Sequence, residues 1–315
     1  MGEDRAVDPL KPAAAPTFTA PAPNNLRGIS FMALGMFIFA AVDAQAKLLT
    51  ETLHPFQIVW TRQLGLLLGA LVFLVMRGPG LLRSKRPGLQ VARGALAGAS
   101  AAMFIFGVRY VPLADAVAIT FVAPFMVTLA AAFVLRERVG IRRWAAVVLG
   151  FVGVLIVIRP GMGVMHPAAV FILIAATAFA GRQIISRILG RVDDTMTTVA
   201  YTALVSIALL TIPLPFVWQW PETRQEVALL VSFALMAGVA EFFVIKALEV
   251  GMAVAVAPVH YTIMIWGTFY GFVIFGDLPD LWTWVGAAII IATGLYTLHR
   301  EHLAARRRAI GQPLA

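Results

Sequence analysis

The residues of this chain that are best suited to bind a solute or exchange a proton are ionisable side chains within long apolar segments. Asp43 and Arg62 lie in the first two such segments, and Arg182 and Glu241 lie in two later ones. A charged group in hydrocarbon costs about 3 kcal/mol or more, so it must face another charge or a wet cavity. We therefore take these residues as candidates for binding a polar solute or carrying a proton.

The depths of the charged residues suggest how they pair. Asp43 and Arg62 lie at similar depth in neighbouring antiparallel segments, and an ion pair between them would relieve both desolvation costs. Arg182 and Glu241 are likewise matched in depth, both in the cytoplasmic third of their segments, and Glu241 is the better candidate for a proton carrier. For both pairs two interpretations stay open: a fixed ion pair that joins two helices, or groups that handle substrate or protons.

Two prolines interrupt apolar segments at mid-depth. Pro124 removes the backbone donor that the Thr120 carbonyl would use, and Pro258 does the same for Val254. Kinks and freed carbonyls at this depth suit a site that opens to alternate sides of a membrane. A bent helix that only packs against its neighbours is the alternative.

Polar and aromatic residues follow the second proline. His260 and Tyr261 stand next to Pro258, and His260 shares a helical face with small residues further along, as a cavity wall would. We interpret His260 as a ligand contact or proton carrier, or alternatively as a histidine hydrogen-bonded to a neighbouring helix. Trp266 could stack on a planar substrate, although aromatic residues in such segments also serve packing or face lipid.

The sequence contains no pattern typical of an enzyme. His299 and His302 are spaced H-x-x-H rather than H-E-x-x-H, and no Gly-x-Ser-x-Gly elbow or phosphate-binding loop occurs. The chain has no cysteine, which excludes disulfides and thiolate metal sites. We expect no catalytic residues, metal or cofactor, so any pumping must use a gradient.

Composition places these residues in a membrane protein. The chain of 315 residues is 60% hydrophobic and 13% charged, with a mean hydropathy of +0.87. Stretches of about 20 apolar residues, long enough to cross a bilayer as helices, recur along its length. They predict ten spans: 27–49, 55–76, 88–108, 113–135, 141–158, 167–189, 195–217, 226–247, 252–275 and 281–298.

The positive charges predict the orientation. The net charge is +9, and the loops that follow even-numbered spans are rich in Lys and Arg. Such loops stay in the cytoplasm, so both termini are predicted inside, in a plasma membrane or bacterial inner membrane. No basic face is left for nucleic acid. Arg93, close to a span end, is expected to reach towards lipid headgroups.

A shift of about 140 residues superposes the chain on itself. Phe31 then falls on Phe171, Ala40 on Ala180 and Trp144 on Trp284. Each copy has five predicted spans, so the second copy must be inverted relative to the first, as in many secondary transporters. Gly153 and Gly286 are predicted as close-packing positions. The motifs Gly94-x-x-x-Gly98 and Gly267-x-x-x-Gly271 mark either a homodimer face or close packing within one bundle.

Several motifs resemble a known family. Ala116 to Pro124, the exit at Arg136-Glu137-Arg138, and Trp144 with Gly150 to Val154 are similar to the EamA repeat of the drug/metabolite transporter superfamily. Ala255 to Pro258 and the exit at Gly276-Asp277 repeat the pattern, although a glutamate is commoner than Asp277. Lys47 and Arg62 also match. The resemblance implies ten helices, inward termini and movement of a small metabolite or drug.

Together these observations predict an all-α integral membrane protein with ten helices in two inverted five-helix EamA-like repeats. The predicted organisation is a disordered tail (1–26), a first repeat (27–159), a linker (160–166), a second repeat (167–299) and a basic tail (300–315). The favoured function is export of a small metabolite by alternating access. Import of a vitamin-like or nucleoside-like metabolite is the alternative, and an intramembrane enzyme or a channel is disfavoured.

Overall fold

The computed structural model describes residues 24–134, 140–159, 166–190 and 192–309. Every regular element in these ranges is helical. Most of the predicted N-terminal tail, nearly all of the predicted linker and the Arg136-Glu137-Arg138 motif lie outside the described residues. The predicted domain boundaries therefore remain predictions.

The helices follow the predicted spans closely. The first half contains α1 (Asn25–Leu49), α2 (Pro55–Arg77), α3 (Pro87–Val108), α4 (Leu113–Thr120), α5 (Ala123–Val134) and α6 (Ile141–Ile158), with a 3-10 turn at Pro79–Leu82. The second half contains α7 (Ala169–Leu189), α8 (Thr195–Thr211), α9 (Leu214–Val217), α10 (Arg224–Val250), α11 (Ala253–Val256), α12 (Ile263–Phe275) and α13 (Leu281–Ala309), with a 3-10 segment at Ala257–Thr262. The fourth and ninth predicted spans are thus each divided, and α13 continues past the predicted end of the last span.

Local signals explain where the helices begin. Pro55 and Pro87 occupy the first turns of α2 and α3, where their missing N–H groups cost nothing. Thr223 caps α10 by accepting from the Glu226 N–H at 3.1 Å, and the Glu226 carboxylate accepts from the Thr223 N–H in return. This capping box satisfies two amides that would otherwise be unpaired.

The described helices are those of a multi-pass membrane protein. Seven of them are long and apolar enough to cross a bilayer. Three shorter apolar helices, Trp144–Ile158, Thr195–Thr211 and Leu281–Thr297, fall on the fifth, seventh and tenth predicted spans. The architecture is therefore an all-α membrane bundle with two repeats, as predicted.

The two halves repeat one pattern of helix packing. In the first half α1 packs against α10 and α12, and its counterpart α7 packs against α3 and α5 in the same relation. The packing of α2 on α10 is likewise matched by that of α8 on α3. Two further pairs, α2 with α8 and α6 with α13, join equivalent helices. The core of the molecule is thus formed between the halves.

We call the end of the bundle where α1 begins the inner end, and the end where α1 finishes the outer end. At the inner end the Asn24 N–H donates to the Val250 carbonyl at 2.9 Å. At the outer end the Lys47 ammonium lies 3.2 Å from the Asp277 carboxylate. The sequence predicts that the inner end faces the cytoplasm.

Glycines allow several of these helices to touch. A Cβ on Gly153 would stand 2.9 Å from the Gly286 carbonyl oxygen, and one on Gly286 would stand 2.5 Å from that of Gly153. This confirms both as close-packing positions between α6 and α13. The first Gly-x-x-x-Gly motif packs on α8 and the second faces Val117 and Leu113 of α4, so both serve packing within the bundle. The two motifs therefore do not support a homodimer, which remains a prediction.

The divided helices break the symmetry between the two ends. At the outer end α4 packs against α12, and α4 residues such as Ala116, Ala118 and Ile119 are fully buried. In the described part of the chain no comparable packing joins α5 to the inner half of the ninth span, residues 253–262. The fourth and ninth spans therefore pack against each other chiefly at the outer end.

Candidate functional site

Charged residues from both halves converge in the bundle. Asp43 of α1 is 8% exposed, and the Arg62 guanidinium of α2 lies near enough for the two charges to interact. No direct ion pair joins them among the described residues. Arg62 instead lies over the Phe39 ring, 5.6 Å from its centroid. The sequence prediction of proximity holds, while the predicted hydrogen-bonded pair is not formed in this conformation.

The second predicted pair has the same character. Glu241 of α10 and Arg62 are both close enough to the Arg182 guanidinium of α7 to interact with its charge. Arg182 lies over the Phe179 ring at 4.6 Å, and its buried Nε atom has no hydrogen-bond partner among the described residues. The Arg182 and Glu241 charges are thus neighbours without a direct ion pair.

A fifth residue, Arg93 of α3, completes this group, and the sequence analysis missed it. Its Nε donates to the Ser186 hydroxyl at 2.7 Å, and its Nη1 contacts the Thr202 hydroxyl. Its charge also interacts with Arg182 and Glu241. The expectation that Arg93 reaches towards headgroups is therefore wrong, because hydroxyls on α7 and α8 hold it inside the bundle.

We call Asp43, Arg62, Arg93, Arg182 and Glu241 the charged file. Its members come from α1, α2, α3, α7 and α10, so it runs between the two halves. The ring that supports Arg62 and the ring that supports Arg182 belong to Phe39 and Phe179, which the 140-residue shift superposes. This duplicated aromatic support is a sequence signal that could have linked the two arginines.

The remaining predicted site residues lie on or beside the divided ninth span. Tyr261 packs on the Phe121 ring at 5.0 Å, and Trp266 contacts the Phe37 ring edge-on at 5.0 Å. The Trp266 indole N–H is buried without a partner among the described residues. His260 is exposed in the structure and makes no hydrogen bond to any described residue.

The two predicted kink prolines stand at the two breaks. Pro124 is the second residue of α5, and the break at Phe121 and Val122 directly precedes that helix. Pro258 is the second residue of the 3-10 segment between α11 and α12. Each break separates the outer half of its span from the inner half.

A second group of charges lies at the outer end. Lys47 pairs with Asp277 at 3.2 Å, and the Arg159 guanidinium pairs with Asp280 at 2.5 Å. Asp115 of α4 is close enough to Arg159, Asp277 and Asp280 to interact with their charges. These residues come from α1, α4, the end of α6 and the loop before α13, so the group connects both halves.

At the inner end a loop of the first half is hydrogen-bonded to a loop of the second half. The Asp193 carboxylate accepts from the Ser84 hydroxyl at 2.5 Å, the Lys85 N–H at 2.9 Å and the Gln90 amide at 2.8 Å. The Ser84 hydroxyl and these further donors lower the pKa of Asp193. A surface pocket of about 330 Å³ lies here, lined by Arg83, Lys85 and Asp193 among others. No member of the charged file lines it.

Comparison with known proteins identifies the family. A sequence profile described as the EamA-like transporter family matches residues 26–159 and 166–298. The chain belongs to the EamA-like transporter family. The two matched segments repeat the same unit, in agreement with the duplicated helix packing. This EamA-like protein is therefore a transporter of small molecules and not an enzyme.

Named relatives of this EamA-like protein carry different metabolites. An S-adenosylmethionine uptake transporter of Rickettsia prowazekii is 27% identical over 88% of this chain and 94% of its own length. A riboflavin transporter of Brucella anthropi is 27% identical over 84% and 95%. A pseudopaline exporter of Pseudomonas aeruginosa is 27% identical over 84% and 93%. These names agree on transport and differ in substrate and direction.

A solved structure supports the fold. One crystal structure superposes on the EamA-like chain with a TM-score of 0.60, covering 89% of this chain and 98% of the other. The two sequences are 19% identical, so this likeness concerns the fold alone. It extends over both halves of the bundle.

Proposed function

We propose that this protein takes up a zwitterionic metabolite of the S-adenosylmethionine type by alternating access between its two halves. The observation that carries the proposal is the pair Arg182 and Glu241. These residues are opposite charges held near each other inside the bundle without a direct ion pair. Charges left apart in this way are costly unless a ligand completes them.

The arrangement of charges favours a substrate with an amino-acid group. A guanidinium such as that of Arg182 suits a carboxylate, because its planar N–H groups match two carboxylate oxygens. The Glu241 carboxylate suits an ammonium group, and Asp43 offers a second acceptor for positive charge. S-adenosylmethionine carries a carboxylate, an ammonium and a sulfonium. Riboflavin carries no charge at neutral pH and would leave this pair unsatisfied.

The aromatic residues offer a place for the base of such a metabolite. Trp266, Phe37 and Tyr270 form one cluster, with Phe37 contacting both of the others at centroid distances of 5.0 and 5.7 Å. The Trp266 indole N–H, which is buried without a partner in the described part of the chain, lies beside these rings. A planar adenine ring could stack here and accept that hydrogen bond.

The divided spans support alternating access. Among the described residues the fourth and ninth spans pack together at the outer end without comparable packing at the inner end, which is the arrangement expected of a state closed on the outer side. In an inverted repeat, exchange of the two halves' conformations produces the opposite state. The sequence alone favours export. We propose uptake instead because the S-adenosylmethionine-carrying relatives are named as uptake transporters.

Counterflow in proteoliposomes tests the proposal. Vesicles loaded with unlabelled S-adenosylmethionine should accumulate external labelled S-adenosylmethionine far faster than protein-free vesicles. An excess of external riboflavin should not compete, whereas S-adenosylhomocysteine, which keeps the amino-acid group, should. Glu241→Gln is expected to lower the rate at least about tenfold, as expected for loss of a charged partner in a binding site.

Glu249→Gln is the matched control for this experiment. Glu249 lies on the same helix, α10, but it is exposed and, among the described residues, its ion pair is with Lys246 at 2.7 Å. Its substitution should leave counterflow unchanged. Counterflow no faster than in empty vesicles would refute the proposed substrate. Accumulation of riboflavin under the same conditions would favour the second candidate function, riboflavin transport. The direction of transport is measured in whole cells. Net accumulation of labelled S-adenosylmethionine supplied outside indicates uptake, and net release of it indicates export.

A further inference from the structure

The geometry points to an ion-pair latch, formed by Lys47 with Asp277 and by Arg159 with Asp280, that holds the outer end of the transporter closed. The inference rests on the proposed alternating access and adds the element that restrains one of its two states. Neither pair belongs to the charged file, which lies deeper in the bundle.

The latch joins elements that must separate for the outer end to open. Lys47 is near the end of α1 in the first half, and Asp277 follows α12 in the second. The Lys47 ammonium also donates to the Val111 carbonyl at 3.2 Å and lies 4.7 Å from the centre of the Phe275 ring. One side chain thereby ties α1 to the start of α4 and to the end of α12.

The second pair includes a residue with an unusual backbone conformation. Arg159 ends α6 with φ at +46°, the one non-glycine residue with positive φ in the described part of the chain. Such a conformation is unfavourable for a residue with a side chain and persists where surrounding contacts impose it. Asp280, its partner, also accepts from the Thr283 N–H at 2.8 Å and so fixes the first turn of α13.

Asp115 gives the latch a third carboxylate. It lies on α4 within reach of the charge of Arg159, and its Oδ1 atom is buried without a hydrogen-bond partner among the described residues. The buried Nε of Arg159 is likewise unpartnered. Asp115 is thus a second carboxylate within range of the Arg159 charge when Asp280 moves away.

The exposure of the latch suits a contact that opens and closes. The Lys47 and Arg159 side chains are each 15% exposed, whereas Asp277 and Asp280 are 39% and 45% exposed. Ion pairs with one partner in water are weak, and loss of each should shift the closed-to-open ratio about two- to fivefold. Two such pairs restrain the outer end without locking it.

Cysteine labelling measures opening of the outer end directly, because the natural chain has no cysteine. Val117 of α4 is 2% exposed and faces Gly267 of α12, so Val117→Cys reports separation of these helices. A membrane-impermeant maleimide should label this variant slowly from outside. Adding Asp277→Asn and Asp280→Asn together should raise the labelling rate about tenfold, the combined effect of two weak pairs.

Two further variants make the result specific. Asp277→Lys alone replaces the first pair by two like charges and should raise the labelling rate. Adding Lys47→Asp to that variant restores the pair with reversed charges and should return labelling towards the slow rate, which a merely misfolded protein would not do. Glu249→Gln, which breaks an ion pair within a single helix, should leave labelling unchanged. An unchanged labelling rate in the double asparagine variant, or no recovery in the charge swap, would overturn the latch.

A different measurement, the response of labelling to substrate, tests the proposed function separately from the latch. S-adenosylmethionine added to the Val117→Cys protein should change the labelling rate if access alternates during transport. A labelling rate that responds to substrate and not to the latch substitutions refutes the latch alone. A rate that responds to the latch substitutions and not to substrate supports the latch and counts against S-adenosylmethionine.

Discussion

The packing of α2 against α10 permits a sharp prediction, because it brings two backbones into contact across the halves. A Cβ on Gly65 would overlap the Ala234 carbonyl oxygen and stand 2.8 Å from its carbonyl carbon. Gly69 lies one turn further along α2, and a Cβ there meets nothing within 4 Å. Gly65→Ala and Gly69→Ala therefore differ in packing and little else.

The expected difference follows from these contacts. Both substitutions improve helix propensity by about 1 kcal/mol, so this gain cancels between them. Overpacking costs about 1–3 kcal/mol, and the upper part of that range applies at Gly65 because a backbone carbonyl cannot rotate out of the way. We expect Gly65→Ala to be less stable than Gly69→Ala by about 2–3 kcal/mol.

Thermal unfolding in one detergent, followed by tryptophan fluorescence, measures this difference. At about 2 °C per kcal/mol for a chain of this size, Gly65→Ala should unfold about 4–6 °C below Gly69→Ala. Gly238 of α10 provides a second check, since a Cβ there would stand 3.0 Å from the Gly65 carbonyl oxygen. Equal unfolding temperatures for the Gly65 and Gly69 variants would show that α2 and α10 do not cross as described.

Three other substitutions test separate parts of the structure. Thr223→Ala removes the N-cap of α10 and should cost about 1 kcal/mol in thermal unfolding. Asp193 has a lowered pKa, chiefly through the Ser84 hydroxyl, so its stabilising effect is present at neutral pH and is lost as the pH falls below about 4. The difference in unfolding temperature between wild type and Asp193→Asn should accordingly shrink on acidification, and a constant difference would contradict this cause. Gly294→Ala would place a Cβ against the Tyr261 hydroxyl and should slow transport several-fold. Tyr261→Phe in the same chain removes that hydroxyl and should restore part of the rate, since the ring carbon Cζ would still stand 2.9 Å from the new Cβ.

The spans could be predicted from the sequence because lipid imposes a simple rule on length and polarity. Helices begin or end where the apolar runs predicted at Leu49, Pro55, Val108 and Ile158. The inverted repeat was also readable, since equivalent residues such as Phe39 and Phe179 occupy equivalent helices. The division of the fourth and ninth spans was predictable only as a kink, because a proline indicates where a helix bends and not how its halves pack.

The site was less accessible to sequence reasoning, because depth alone does not reveal lateral neighbours. Matching depths correctly placed Arg182 near Glu241, but closeness to the start of α3 misplaced Arg93, whose hydroxyl partners lie on other helices. The pair Lys47 and Asp277 joins residues separated by 230 positions. No periodicity in the chain connects them, so only the packed bundle reveals their contact.

Distances between spin labels at the two ends of the divided spans test the central claim, that the halves exchange conformations around the charged file. One doubly labelled variant would carry cysteines at Phe133 of α5 and Met252 before α11, both exposed at the inner end. A second would carry them at Glu51 and Leu278, exposed at the outer end. Addition of S-adenosylmethionine should shorten the inner distance and lengthen the outer one. Distances that both stay fixed, or that change in the same direction, would contradict alternating access in this protein.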